Sequence, residues 1–482
     1  MIKLNRDTLK DKIYACWVGK NIGGTMGTPY ECTQELLDIQ GFSTPAGSAL
    51  PNDDLDLQLI WLKALEERGA SGINANVLGE YWLNYIPPHW NEYGIGKGNM
   101  KAGLLPPLSG EYKNSAWKNS NGAWIRSEIW ACTAPGCPDV AIKYALADAC
   151  IDHGMSDGTY AELFTAALQS AAFVVQDREE LINIGLSKIP ADCRVAQSVN
   201  IVVNAYKNGI DWKDARNQVL KDSENGLGWF QAPANVAYTI LGLLYGEGDF
   251  KKSMILAINC GDDTDCTAAT LGALFGIMYG TKVIPEDWKA HIGDNIVTVA
   301  IDRGSCWGLP ENCTKLTERV LALAPSVLKA GFANVIIYDG EDEIPQADIP
   351  PLKDGTYAKE LCATPAYSNT FDFIFAHAVV DYGKEPVIDE CGSFDLKVSF
   401  KNHFPDPKHL QLRWILPEGW SVTGGRKQLY LEHDTLRMPR KEAVINVTIT
   451  ANEVVAPMNR LVLEVTSPGR PTVGLIPIIL LG

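Results

Sequence analysis

The sequence predicts a multi-domain protein, an all-α domain followed by a small all-β domain, and three observations lead there. Apolar positions recur at spacings of three and four through about residue 335, the period of a helix face. An acidic, Pro-rich stretch follows, Tyr338–Asp354 (YDGEDEIPQADIPPLKD). From about Thr370 the period falls to two, that of a strand with one buried face. At 482 residues the chain has about three domains' worth of length, or one large domain with an appendage. Its 46% apolar and 21% charged residues exclude a disordered or fibrous protein.

The helical part is rich in Ala and Gly. In Pro138–His153, Ala141, Ala145 and Ala149 form one stripe with Ile142 and Leu146 beside it, which suits a closely packed helix. Tyr160–Val175 and Ala234–Tyr245 follow the same pattern. No strands alternate with these helices, so residues 1–335 are expected to be all-α rather than a doubly wound sheet. Residues 336–367 read as a linker. Over 368–482, Phe394–Phe400 alternates apolar and polar, as Ala443–Ile449 and Arg460–Val465 nearly do, with Pro417–Trp420 as a turn. Short strands at this spacing suggest a β-sandwich, immunoglobulin-like in size.

With 42 Lys and Arg against 58 Asp and Glu, the net charge is −16, so no nucleic-acid partner is expected. The first twenty residues hold no apolar run of signal-peptide length. The late run Gly474–Leu481 is too short to span a bilayer and contains Pro477. No membrane partner is expected. The twelve cysteines are scattered without a C-x-x-C, which argues against structural zinc and for reduced thiols in a cytoplasmic protein.

Three segments concentrate acids beside small residues. In the first, Gly19, Gly23 and Gly27 recur at four and lead to Pro29 and Glu31. The glycines fit tight helix packing; Glu31 is left to a loop. In the second, Asn52-Asp53-Asp54 precedes an apolar helix. Acids in a first turn complement the helix dipole, and the same residues make a compact set of hard oxygen donors for Mg²⁺. The third is Gly261-Asp262-Asp263-Thr264-Asp265-Cys266, leading into a helix with Ala268, Gly272 and Gly276 at spacings of four. Three acids in four positions repel one another unless a cation or shared proton neutralises them. Capping could use one; the set favours a metal.

Together these segments resemble the ADP-ribosylglycohydrolase family. That family carries G-x3-G-D-A-x-G-x-P-x-E, T-D-D-T, N-G-x-x-M-R, an Ala-rich helix ending in T-H, and G-G-D-T-D-T. Here the matching stretches, in order over about residues 8–285, are Gly23–Glu31, Asn52–Leu55, Asn121–Arg126, Ala145–His153 and Gly261–Cys266. The resemblance implies an all-α fold with two Mg²⁺ ions, or Mn²⁺, at the base of a cleft. Its metal ligands fall on Asn52, Asp53, Asp54, Asp263, Asp265 and Cys266. Catalytic roles fall on Glu31 and Asp54, and substrate contacts on Asn121, Gly122, Arg126, His153 and Asp262. The implied reaction is hydrolysis of the C1 bond of a small-molecule or protein-linked ADP-ribosyl group or a related riboside.

The chain departs from the family pattern in four places. Gly24 stands for Asp, Asn52 for Thr, Cys266 for Thr, and Asp262 for Gly. A thiol is a poor Mg²⁺ ligand, and Asp262 would set a negative charge where a pyrophosphate approaches. Hydrolysis of a different N- or O-glycoside, or metal-dependent ligand binding without turnover, therefore stays open. Gly154-Met-Ser156-Asp-Gly158 spells G-x-S-x-G, but a helical pattern precedes it where a nucleophile elbow needs a strand.

Overall fold

A computed structural model describes residues 1–224, 230–432 and 442–482. They fall into two compact units, Met1–Lys97 with Asn114–Ala363, and Gly98–Lys113 with Thr364–Gly482.

The first unit is helical. Its helix α1 (Arg6–Gly27) starts where Asn5 accepts a hydrogen bond from the Thr8 amide at 2.7 Å. Helix α2 (Asp53–Arg68) is capped in the same way by Asn52. Helix α3 (Thr264–Tyr279) ends at Gly280, whose φ of +74° is the left-handed conformation that glycine adopts freely. The expected helix over Pro138–His153 is present with those bounds. The other two run Asp157–Ala172 and Ala232–Tyr245.

Helices α1 and α3 lie antiparallel with backbone against backbone. A Cβ on Gly19 would overlap the carbonyl of Gly272, one on Gly23 that of Ala268, and one on Gly27 that of Thr264. Glycines spaced at four on both helices make this approach possible. Because the helices run in opposite directions, the end of α1 meets the beginning of α3.

The all-α expectation needs one small correction. Strand β1 (Ile2–Asn5) pairs in parallel with β2 (Val335–Tyr338), burying Ile2, Leu4 and Val335 with Leu328. Four residues are too few to display a period, which is why the strands were not legible. Beyond β2, the stretch expected as a linker holds two 3-10 turns and a helix, Thr356–Cys362. Its acids bind the chain's beginning: Asp342 accepts from the Asn5 amide at 2.6 Å, Asp339 pairs with Arg6 at 2.9 Å, and Glu343 pairs with Lys3 at 2.9 Å.

The second unit has two antiparallel sheets on one apolar core. Strands β3 (Ser368–Asp372), β4 (Ala376–Asp381), β5 (Ser393–Asn402), β6 (Lys408–Ile415), β7 (Ser421–Thr423), β8 (Gln428–Leu431), β9 (Ala443–Thr450), β10 (Met458–Thr466) and β11 (Val473–Leu481) build it. Their orders are β11-β10-β6-β8 and β3-β4-β5-β9-β7. The alternation read from the sequence holds: Phe394, Leu396, Val398 and Phe400 of β5 point into the core. Leu104, Leu108 and Tyr112 join the same core, and the Asn369 amide donates to the Leu105 carbonyl at 2.7 Å.

The helix contact gives a direct test. Gly23→Val should destabilise the protein by about 1–3 kcal/mol or more, the usual result of overpacking, as measured by denaturant unfolding. A change below about 0.5 kcal/mol, the level of a neutral surface substitution, would show that α1 and α3 can part freely.

Candidate metal centre and active site

The antiparallel crossing brings the first and third acidic segments together. Beyond α1 a 3-10 turn, Thr28–Tyr30, leads to Glu31, while Asp263, Asp265 and Cys266 open α3. The second segment arrives on the first turn of α2. Gly24 admits it, since a Cβ there would overlap the Asn52 amide.

Two groups of ligand atoms result, each with its atoms within 4.8 Å of one another: Asp54, Asp265 and Cys266, and Glu31, Asp263 and Asp265. Asp265 belongs to both. Asp54 Oδ2, Asp263 Oδ1 and Asp265 Oδ1 are buried without a hydrogen-bond partner, a costly state for ionised oxygens. A divalent cation removes that cost, so the oxygen donors present suit a hard metal ion. Cys266 differs: its thiol donates to Asp54 Oδ1 at 3.4 Å, and burial with Asp263 and Asp54 beside it holds its pKa well above the ordinary thiol value.

The electrostatics follow from this crowding. Lost hydration, then Asp265 and Asp53, pushes Glu31 up to about 8. Burial and Asp265 push Asp53 up to about 6, against the opposing hydrogen bond from Tyr93. Asp54, Asp263 and Asp265 are all raised, with burial the leading cause. Lys20, on α1, is 1% exposed and lies 3.1 Å from Glu128 and 3.8 Å from Asp54. Gln58 and Gln169 each donate to Glu128 at 2.9 Å and complete that network.

A cavity of about 350 Å³ opens over these groups, lined by Glu31, Asn52, Asp53, Asn121, Gly122, Asp263, Asp265 and Cys266 from the sequence expectations. Asn52 reaches the cavity, but its amide oxygen accepts from the Asp54 amide at 2.7 Å and its nitrogen faces Asp265 at 3.4 Å. In this arrangement it is a helix cap as much as a ligand. Asp53 accepts from Tyr93 Oη at 3.1 Å and stands outside both ligand groups. Asn121 donates to Asp263 at 2.7 Å.

Two expected substrate contacts lie behind the wall. Arg126 is fully buried, paired with Asp148 at 2.8 Å and Asp152 at 2.8 Å, with its guanidinium 4.7 Å from the Trp82 ring. His153 sits 2.9 Å from Asp152 and 3.4 Å from Ser120. Burial disfavours the Asp152 carboxylate, yet Arg126 and His153 hold it down to about 2. These residues brace the loop that carries Asn121 and Gly122, whose carbonyl accepts from Arg126.

Asp262 also differs from expectation. Its carboxylate turns to the Phe230 amide, at 2.9 and 3.1 Å, and to Asn235 at 3.2 Å. It adopts φ +69°, a region glycine occupies at no cost and Asp better than most. The charge expected beside a pyrophosphate is engaged in holding Phe230, which lines the cavity.

Sequence reasoning missed several residues of the site. Trp90, Glu92, Tyr93, Ile125, Phe230 and Val299 complete most of the lining. Asp56 receives the Val299 and Ala300 amides and fixes that loop. Lys20 left one readable sign, a lone cation within an apolar, Gly-rich helix. Ser156 is a structural residue: its hydroxyl donates to the Lys118 and His153 carbonyls ahead of the Asp157–Ala172 helix.

A helical scaffold thus converges carboxylates that could hold a metal ion on one cavity, with the Lys20 ammonium buried beneath them. The chain belongs to the ADP-ribosylglycohydrolase family, whose model matches residues 5–323. It is similar to ADP-ribosylhydrolase ARH3 of Bos taurus, 26% identical over 81 residues, and of Mus musculus, 27% identical over 82 residues. Those stretches are 15% and 16% of this chain and 22% of each relative, so the chain spans about a fifth of their length. A solved structure titled "ADP-ribosylglycohydrolase-related protein complex" is 19% identical and covers 67% of this chain and 99% of its own, with a TM-score of 0.44. The FixG-related protein from Vibrio parahaemolyticus covers 23% of this chain and 97% of its own, at 8% identity and a TM-score of 0.19. Among the described residues, no helix is long and apolar enough to cross a membrane.

Lys20 provides the test of these electrostatics. In metal-free protein, Lys20→Met should cost about 3–5 kcal/mol, as when one partner of a buried ion pair is removed. Thermal unfolding measures it, and an unchanged midpoint would show that Glu128 and Asp54 do not depend on that cation.

Proposed function

We propose that this chain is a Mg²⁺-dependent glycohydrolase that cleaves the C1 glycosidic bond of an ADP-ribosyl or related riboside substrate, small or protein-linked. The observation carrying the reading is Asp265, common to two groups of candidate ligands in which Asp54, Asp263 and Asp265 each keep a buried oxygen without a hydrogen-bond partner. We read residues 1–335 as the catalytic part, 336–367 as its connection, and 368–482 as a β-sandwich. All twelve cysteines are free thiols, which supports a reducing, cytoplasmic setting.

Asp54, Asp263 and Asp265 would hold the ions, with Asp53, the Asn52 oxygen and Cys266 at the margin; Mn²⁺ could replace Mg²⁺ in such a donor set. Bound divalent ions supply Lewis acidity, a more acidic water and a template for a sugar diol.

The chain's own residues supply the rest. Cleavage at C1 passes through an oxocarbenium-like transition state and needs an activated water on one face. Glu31 reaches the solvent side of the acid cluster from its loop and accepts the proton of that water. Asp54, fixed on the first turn of α2, orients the attacking side. The carboxylates stabilise positive charge developing at C1 without reorganising, because each is already packed in place. Asn121 keeps Asp263 oriented, and the buried Arg126–Asp152–His153 set keeps Asn121 in position.

Replacing Asp263 and Asp265 together by Asn should abolish Mg²⁺ binding in calorimetric titration and lower riboside hydrolysis by at least about 100-fold, the scale of losing a major electrostatic element. Unchanged metal stoichiometry in a folded double variant refutes the metal assignment.

A further inference from the structure

We infer that the cavity takes an uncharged glycoside with a flat, ring-bearing aglycone in preference to a ribosyl pyrophosphate. The inference rests on the glycohydrolase reading and narrows its substrate.

The first support is the sign of the wall. Glu31, Asp53, Glu92, Asp263 and Asp265 line the cavity, and no Lys, Arg or His does so among the described residues. The nearby cations are engaged inside the protein: Lys20 with Glu128 and Asp54, Arg126 with Asp148 and Asp152. With Asp54 included, six carboxylates surround the space. Two divalent ions would offset four of those charges, and a pyrophosphate would bring two more negative charges into it. Families of phosphate sites use Arg, Lys or free backbone donors for that purpose.

The second support is hydrogen-bond polarity. Glu92 is buried, lines the cavity, and its Oε2 has no partner. Gly122 lies against it so closely that a Cβ would overlap Glu92 Oε1. This oxygen calls for a donor, such as a sugar hydroxyl or a ring N–H, and it repels a phosphate oxygen, which only accepts. Several side-chain donors of the wall are already engaged: Tyr93 Oη with Asp53, Asn121 with Asp263, and Thr28 Oγ1 with the Gly24 carbonyl.

The third is aromatic surface. Trp90 remains 47% exposed at the cavity while stacking on Tyr93, ring centroids 6.1 Å apart at 28°. Phe230 enters the same lining at φ +61°, held there by the Asp262 carboxylate. A bulky residue in the left-handed region persists only where its surroundings impose it. Flat apolar faces of this kind bind rings.

The experiment compares an aryl riboside with the anomer-matched aryl glycoside of ADP-ribose under saturating Mg²⁺. The neutral substrate should show at least a tenfold higher kcat/KM. Glu92→Gln, which removes a charge and keeps the shape, should narrow that ratio at least threefold with Mg²⁺ stoichiometry unchanged. Equal or faster cleavage of the ADP-ribosyl glycoside by the wild-type protein overturns the inference and leaves the glycohydrolase reading standing. Cleavage of neither glycoside removes both. The wild-type comparison decides the matter even where the Glu92 variant does not fold.

Discussion

Everything in the site depends on the backbone contact between the Arg6–Gly27 and Thr264–Tyr279 helices. Side chains normally keep helix axes 8–10 Å apart; here glycines at four-residue intervals remove them from the seam. The approach sets the register as well as the distance, because each small residue has one partner across the seam. Glu31 and the Asp263–Cys266 turn are more than 230 residues apart, and the antiparallel crossing makes them neighbours. A longer side chain at the seam would separate the carboxylates that the site needs together, so folding and function share one constraint.

The second dependence is electrostatic. Buried carboxylates repel and lose hydration, and the protein supplies only part of the compensation. Lys20 neutralises the deepest layer, beneath Asp54 and Glu128, while Asn121, Tyr93 and backbone amides satisfy individual oxygens. The oxygens left without a hydrogen-bond partner, on Asp54, Asp263 and Asp265, belong to acids of two overlapping groups. A second polar layer, Arg126 with Asp148, Asp152 and His153, sits behind the cavity wall, and Arg126 donates to the Gly122 carbonyl of the loop that carries Asn121. The first layer crowds acids against one another, whereas in the second Arg126 pairs with both Asp148 and Asp152. That contrast separates the reacting surface from its support.

Much of this was legible in the sequence because its cause is local. The change of hydrophobic period separated helices from strands, the small-residue spacing on both seam helices announced close packing, and the density of Asp at 53–54 and 263–265 announced a cluster of acids. What was not legible depends on depth and long-range geometry. Arg126 and His153 sit in a recognisable pattern, but a pattern does not say whether a side chain faces the cavity or the core. Asp262 looked like a charge in the cleft until its backbone conformation turned it toward Phe230. Lys20 has no partner within its own segment. The acidic stretch after residue 338 looked like a solvated linker, and its acids instead bind Lys3, Asn5 and Arg6, at the far end of the chain. The short strands at Ile2 and Val335 acquire meaning only from each other.

We propose that one carboxylate, Asp265, is common to two cation positions created by the helix crossing. Anomalous diffraction from crystals of the intact chain grown with Mn²⁺ measures this most directly. Two peaks are expected, both at coordination distance from Asp265, one beside Asp54 and the other beside Glu31 and Asp263. A single peak, or ions bound away from Asp265, would contradict it.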